Sequence, residues 1–404
     1  AQSSDFIDIH INSGNPAFPF PQFLEYKEGK SLAKYNAEGV THADMEKTMR
    51  EAYEIMSHRA RYNGMVVGGV PYISFNPKSM SAEEKDQTHS PKCSEGDGYF
   101  LLAAAIYADQ PTFNGVWMLI HDSKIPKVKK YSDGKILFQD YPYSPGLACC
   151  YTSDESIHEE RMGPNGVYSG EGSAMDGDDD IALALLIAYK QWGDTMKMNG
   201  TPVIANGEPI LYRQMLKDYL SAFVDTFLYT LDGFGHGSGN IGIDGYIHGG
   251  NKGGDMTQWR MTQTDYPGIS TTAMGSQDAW FDYAAPAYFN EFAKWLEEDN
   301  LINPDQKNAW RIQQYKRGEA SCDWLMGEAY KQGLIPSIAK FAFGYGNDID
   351  VTFSNDGHAE DFRLAWRTIL NYIWHGNPET TWNPKTHQVE PGGNTFERDM
   401  ALRF

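Results

Sequence analysis

Two acidic turns in this 404-residue chain have residue types and spacing suited to proton chemistry. The first is Ser94-Glu95-Gly96-Asp97-Gly98-Tyr99, which runs into Phe100-Leu101-Leu102-Ala103-Ala104-Ala105. A carboxylate at the start of a buried helix is favoured by the amide dipoles there. Gly96 and Gly98 let a substrate or another backbone come close. Held partly out of water, such a carboxyl keeps its proton more tightly and can serve as a general acid. Taken alone, the turn reads most simply as a helix cap. The second is Ala174-Met175-Asp176-Gly177-Asp178-Asp179-Asp180-Ile181, which opens an apolar run ending at Trp192. Asp176, Asp178 and Asp180 alternate as in a calcium loop, but the sixth position is Ile181 where glycine is needed. The twelfth is Ile187 where glutamate is needed, so that reading fails. Acids at a helix start also complement its dipole, which is the plain account of three of the four.

Helices are the elements that would position these turns. Thr41 is an N-cap with Asp44 three residues on, and Met45, Met49, Ala52, Tyr53 and Met56 follow at helical spacing. Further helices are expected over 98–108, 112–121, 181–192, 211–227, 284–296, 319–332 and 362–374. Strand-like alternation is scarce and no βαβ series is present, so the fold class is all-α. Residues 1–40, rich in Pro, Gly and aromatics, read as an irregular N-terminal arm. Long polar loops are expected over 123–172 and 232–254, and loops of this length in a compact domain are usually functional or disordered. No internal repeat or linker is visible, which makes 1–404 a single domain.

Composition narrows the partners. The net charge is −20, with no basic stripe to neutralise phosphates, so nucleic acid is excluded as a partner. The same field disfavours polyanions, tolerates neutral glycans and attracts a cationic polymer. No apolar run approaches the roughly 20 residues that span a bilayer, so no membrane partner is expected. The start, Ala1-Gln2-Ser3-Ser4, reads as a mature end left by signal-peptide removal, or as the product of an expression vector. Cys93, Cys149, Cys150 and Cys322 fit no C-x-x-C metal pattern; one disulfide to Cys93 or Cys322 is open in an oxidising compartment. Aromatics make up 13% of the chain, which suits sugar stacking as well as a large core.

Taken together, the Ser-Glu-Gly-x-Gly-Tyr turn and, some 80 residues later, Asp-Gly-Asp-x-Asp-Ile-Ala-x-Ala-Leu-Leu-x-Ala-x-x-x-Trp resemble glycoside hydrolase family 8. Met175 stands where that family has Ser or Thr. The resemblance extends to Pro19-Phe20-Pro21-Gln22 and Tyr283-Ala284-Ala285-Pro286-Ala287-Tyr288. It continues in Glu360-Asp361-Phe362-Arg363-Leu364-Ala365-Trp366-Arg367 and in Asn371-Tyr372-Ile373-Trp374-His375-Gly376. It implies an (α/α)6 barrel with long loops forming a substrate cleft at one end, and hydrolysis with inversion. Such chemistry needs an acid on the leaving oxygen and a second carboxylate, about 6.5–9.5 Å away, to activate water. The resemblance puts the proton donor at Glu95 and the sugar-positioning acid at Asp176. Its base is an Asp three residues before the Arg matched by Arg363, where this chain has Glu360. Asp361 follows, about 100° round a helix, so one of the two should face the cleft; an inserted-loop acid, Asp348, Asp350 or Asp356, is the alternative. The family barrel normally continues several helices beyond residues 396–404. The resemblance therefore implies either missing C-terminal helices or a different closure.

The expectation is a secreted, monomeric endo-hydrolase of β-1,4-linked polysaccharide, β-glucan first, xylan close behind and chitosan third, with no metal or organic cofactor. Ser94 in place of Thr is similar to endo-acting members. Tyr99, Arg363 and Tyr283 are expected to bind substrate, and Trp259, Trp280, Tyr266 and Tyr151 to offer sugar platforms in or beside loops. Trp117, Trp192 and Trp374 sit at helical spacing and read as core. The literal G-x-G-x-x-G at Gly237 follows no strand pattern and opens no helix, and His236 and His248 lack metal-ligand spacing. The rivals are a chitosanase of the same family, a glycan-binding relative that has lost its base, and a helical-barrel lyase.

Overall fold

The computed structural model describes residues 37–57, 60–75, 92–122, 129–130, 136–138, 146–148, 151–152, 173–224, 228–230, 235–237, 240–241, 245–247, 277–332, 338–343, 349–354 and 362–401. Among these the chain is predominantly helical. The helices are α1 (His42–Ser57), α2 (Ser94–Ile106), α3 (Gln110–Asp122), α4 (Met175–Trp192), α5 (Tyr212–Val224), α6 (Pro286–Ile302), α7 (Asn308–Lys331), α8 (Phe362–His375) and the short α9 (Phe396–Ala401). The expected cap of α1 is reciprocal: Thr41 N–H donates to Asp44 Oδ2 at 2.8 Å, and Asp44 N–H donates to Thr41 Oγ1 at 3.2 Å.

Contacts group the chain into two units. One comprises Ala1–Ser123, Tyr151–Glu159 and Asp180–Leu216; the other comprises Lys124–Cys150, Glu160–Asp179 and Lys217–Phe404. In the first unit, strands β1 (Ala60–Val67) and β2 (Val70–Phe75) form a hairpin closed by Gly68 and Gly69. Both glycines have positive φ, which a type I′ two-residue hairpin turn requires. α3 lies against β2 through Gly115, where a Cβ would sit 2.5 Å from Ile73 Cγ1 and 2.7 Å from the Pro71 carbonyl oxygen. Tyr53 of α1 stacks on Tyr107 and donates to Asp109 at 2.9 Å, fastening α1 to the end of α2.

The second unit has an aromatic core in which Phe223, Phe289, Phe292 and Tyr315 meet edge-on or tilted. The Tyr315 hydroxyl donates to the Leu220 carbonyl at 2.8 Å, so the ring is buried without an unpaired polar end. α8 has inverted polarity: Arg363, Arg367, Thr368 and Asn371 are buried, whereas Trp366 and Ile373 are exposed. Arg363, Arg367 and Asn371 recur every four residues and form one inward stripe.

The helical fold class holds among the described residues, with short strands beside the helices. Besides β1 and β2, a three-stranded antiparallel sheet joins Gln277–Trp280, Ile338–Phe343 and Ile349–Ser354, and a hairpin joins Thr380–Asn383 to Gln388–Pro391. Most other ladders are two or three residues long, too short for an alternation signal. Leu228–Thr230 pairs with Gly235–Gly237, so the literal glycine motif begins at a hairpin strand. α7 starts eleven residues before its expected limit, because its first turns bury Asn308, Arg311, Gln314 and Gly318, which hide the apolar stripe. Cys322 is a buried free thiol, Cys93 is half-buried, and Cys149 and Cys150 lie outside the described residues. Among the described residues no helix is long and apolar enough to cross a membrane.

Candidate active site

In the first unit, Glu95 sits inside the first turn of α2 and not ahead of it, because the helix begins at Ser94. Cys93, the N-cap, is extended at φ −110° and ψ 149° and pairs with Tyr151 in a two-residue ladder that anchors the entry. Ser94, Gly96, Asp97, Gly98 and Phe100 are buried, whereas Glu95 and Tyr99 are half-buried. Four residues apart, these two share the accessible face of the turn. A half-buried carboxyl at a helix N-terminus, with an aromatic ring one turn on, has the elements a proton donor to a sugar needs.

In the second unit, the first turn of α4 meets the inward stripe of α8. Arg363 is fully buried and uses its fork on two carboxylates. Its Nη1 donates to Asp176 Oδ2 at 2.9 Å and its Nη2 to Asp282 Oδ2 at 2.6 Å. Its guanidinium also lies over the Tyr283 ring, 5.5 Å from the centroid. One turn further along α8, Arg367 donates to Asp179 Oδ2 at 3.2 Å and to the Asp282 carbonyl at 3.0 Å. Asp282 thus ties both arginines together, and Arg363 in turn orients Asp176. The other carboxyl oxygen of Asp176, Oδ1, is buried and has no hydrogen-bond partner among the described residues. One oxygen clamped and one open make a rigid acceptor for a hydroxyl donor.

The next carboxyl in α4 is held differently. Asp178 accepts from the Tyr219 hydroxyl and, at 2.9 Å, from Asn240 Nδ2. Burial pushes its pKa up to about 7; the Asp176 charge adds to that rise, and the Tyr219 and Asn240 donors oppose it. Further along the same unit, Asn371 Nδ2 donates to both oxygens of Glu397, at 3.1 and 3.2 Å. Burial raises Glu397 to about 7 and Glu319 to about 6, and drives Asp323 well up, with the neighbouring acids adding to the rise in Glu397 and Asp323.

Of the expected site residues, the structure joins Asp176, Arg363 and Tyr283 directly and places Glu95 and Tyr99 on one face. Glu360, Asp361, Trp259, Tyr266, Asp348 and Asp356 lie outside the described residues. Trp280 ends a strand and Tyr151 begins one, so neither lies within a loop; Asp350 also falls in a strand. Asp282, Arg367, Asp179 and the Asp178–Tyr219–Asn240 cluster were not expected. Two arginines four residues apart in an apolar helix were the available signal, since such a stripe must find buried counter-charges. Among the described residues no group of three or more His, Cys, Asp or Glu is arranged to hold a metal ion.

No family model matches the chain. It is 24% identical over 301 residues to Endoglucanase 2 of Ruminiclostridium josui, covering 73% of this chain and 45% of that protein. It is 25% identical over 211 residues to a Beta-glucanase of Niallia circulans, covering 52% of this chain and 40% of that protein. The chain therefore spans less than half the length of the curated relatives it matches. Similar solved structures include a reducing-end-xylose releasing exo-oligoxylanase, with TM-score 0.48 and 15% identity over 87% of this chain and 74% of that one. A Beta-1,3-1,4-glucanase from Paenibacillus sp. X4 gives TM-score 0.46 and 17% identity over 82% and 68%. Rex8A from Paenibacillus barcinonensis, complexed with xylose, gives 0.49 and 13% over 84% and 70%. Both curated relatives carry glucanase names, and the chain is similar to them at 24% and 25% identity.

Proposed function

We propose that the chain is an inverting, endo-acting hydrolase of β-1,4-linked polysaccharide, with β-glucan as its first substrate, xylan second and chitosan third. Its helices are those of an (α/α)6 barrel in a single catalytic domain, and it works outside the cytoplasm as a monomer. Glu95 protonates the glycosidic oxygen and Asp176 holds the sugar at the scission point. Asp361 or Glu360 takes a proton from the water that attacks the opposite face. Arg363, fully buried, holds Asp176; Tyr283 packs against that arginine and borders the sugar, and Tyr99 flanks Glu95. Trp259, Trp280 and Tyr151 are further candidates for stacking on sugar rings.

The observation that carries this reading is the clamped Asp176. Its Oδ2 is fixed by a fully buried arginine, while Oδ1 lacks a partner among the described residues. A buried acceptor left open is costly unless a ligand fills it. A sugar hydroxyl is a donor of the right kind. The glucanase names of the curated relatives agree, and the −20 charge ranks neutral glycans above uronates.

The test is reducing-end release from β-glucan, xylan and chitosan by the wild type and by Glu95→Gln. The wild type should produce new ends from at least one polymer. The variant should lose about 10²–10⁴-fold in turnover and keep its unfolding temperature. Retention on a polymer without new ends would make the chain a binder, and wild-type rates in the variant would remove Glu95 from its role.

A further inference from the structure

Asp178 stands two residues beyond Asp176 and is fully buried, yet the scheme above gives it no work. Its two oxygens meet neutral donors: the Tyr219 hydroxyl of α5 on Oδ1 and the Asn240 amide on Oδ2. Tyr219 in turn accepts the Ala148 N–H at 3.2 Å. The Asn240 N–H donates to the Phe223 carbonyl at 2.8 Å, so this residue is tied to the end of α5 as well. Close by, Gly146 takes a positive φ of 92°, and a Cβ there would sit 3.2 Å from Ala222 Cβ. A single carboxyl thus gathers the first turn of α4, the body of α5 and two short segments, 146–148 and 240–241. Only an acceptor on both oxygens suits this junction, since an amide would turn one donor against another.

We propose that Asp178 is a positioning residue for the site: by accepting from Tyr219 and Asn240 together, it pins the turn that carries Asp176 and so fixes where the Asp176 carboxyl stands. The proposal rests on the reading of Asp176 as the carboxylate that holds the sugar. Its lever is short, because Asp176 and Asp178 share one helical turn and any tilt of that turn moves both. Displacements of about 1 Å away from the reacting atoms can cost on the order of a hundredfold in rate.

The groups facing Asp178 also set how the junction responds to acid. Asp176 stands on its own helix, paired with Arg363; the Tyr219 phenol comes from α5; the Ala148 amide and the uncharged Asn240 amide complete the surround. With no cation on its oxygens, the buried carboxyl takes up a proton near neutrality. That proton displaces one of the two donors and loosens the turn. Activity should therefore carry an ionisation in the neutral range that belongs to Asp178.

The experiment measures kcat and KM against pH for the wild type, Asp178→Asn and Tyr219→Phe on the polymer the wild type cleaves. Thermal unfolding and amide hydrogen exchange over 175–180 accompany it. Asp178→Asn should lower kcat by about ten- to a hundredfold at little change in KM, abolish the neutral inflection and speed exchange in that turn. Tyr219→Phe removes a donor that favours the ionised form, so its inflection should move to higher pH. Both effects must appear at temperatures where the variants are fully folded. A lower unfolding temperature with unchanged kcat, exchange and inflection would reduce Asp178 to a packing residue and overturn the proposal. Wild-type protein that cleaves none of the three polymers would instead remove the functional reading on which the proposal rests, a result distinct from an active wild type with an indifferent Asp178→Asn.

Discussion

Replacing Arg363 with methionine tests whether one buried cation holds the acidic turn together. The side chain is 0% exposed, and its partners Asp176 and Asp282 are 4% and 2% exposed, so water screens neither contact. Methionine refills most of the volume and removes the charge, leaving two carboxylates facing each other in the interior. Stranding a buried charge in this way costs about 3–5 kcal/mol. Loss of the cation over Tyr283 adds about 0.5 kcal/mol or more. At about 1.4 kcal/mol per tenfold, the folded population relative to the unfolded should fall by two to three orders of magnitude or more. Equilibrium urea unfolding at neutral pH reads this directly, as a lower midpoint with unchanged slope. Arg363→Lys should fall in between, since an ammonium reaches one carboxylate well but cannot fork to both. A loss below about 1 kcal/mol in Arg363→Met would mean that the carboxylates are not held by this arginine, and the clamped-Asp176 reasoning would fail.

Three further outcomes follow from other parts of the molecule. Glu397, Glu319 and Asp323 keep their protons more tightly in the folded state than an unfolded chain does. For Glu319 and Glu397 the stabilising contribution is therefore complete below the unfolded carboxyl value of about 4 and is lost as pH rises through about 6 and about 7, respectively. Calorimetry should show the unfolding temperature falling from pH 5 to pH 8, with a flatter profile in Glu397→Gln; equal slopes would contradict this. Gly115→Ala places a Cβ against Ile73 and the Pro71 backbone, so overpacking should cost about 1–3 kcal/mol even though alanine favours helix, and an unchanged unfolding temperature would contradict that. Glu95→Gln should leave unfolding untouched while turnover collapses, because Glu95 is half-buried on the open face of α2.

The sequence was most legible where one signal dominated. The uniformly apolar run 181–188 made α4 visible, and the Thr41–Asp44 pair marked the start of α1 to the residue. The β1–β2 hairpin went unread although Gly68-Gly69 between apolar runs was a usable turn signal. α7 was seen only in its second half, since Arg311 and Gln314 at its buried face look like surface residues until their partners are known. The site divides in the same way. Glu95 and Asp176 could be singled out as candidates because each sits in a contiguous motif at a helix start. Asp282 could not, because its meaning depends on Arg363, 81 residues away, reaching it in space. Asp178 carried a usable sequence position but no hint that Tyr219 and Asn240 converge on it. Which acid serves as base among Glu360, Asp361 and the loop acids is a matter for Glu360→Gln and Asp361→Asn compared side by side, with the base showing the larger loss of turnover.

Proton NMR of the first sugar released from a β-linked polymer is the most direct measurement of the central claim. Two carboxyls acting from opposite sides of the bond, with water between one of them and the anomeric carbon, must release the new reducing end in the α configuration before mutarotation. A β anomer at early times would mean a covalent intermediate and a different disposition of the acids, and that result would contradict the account.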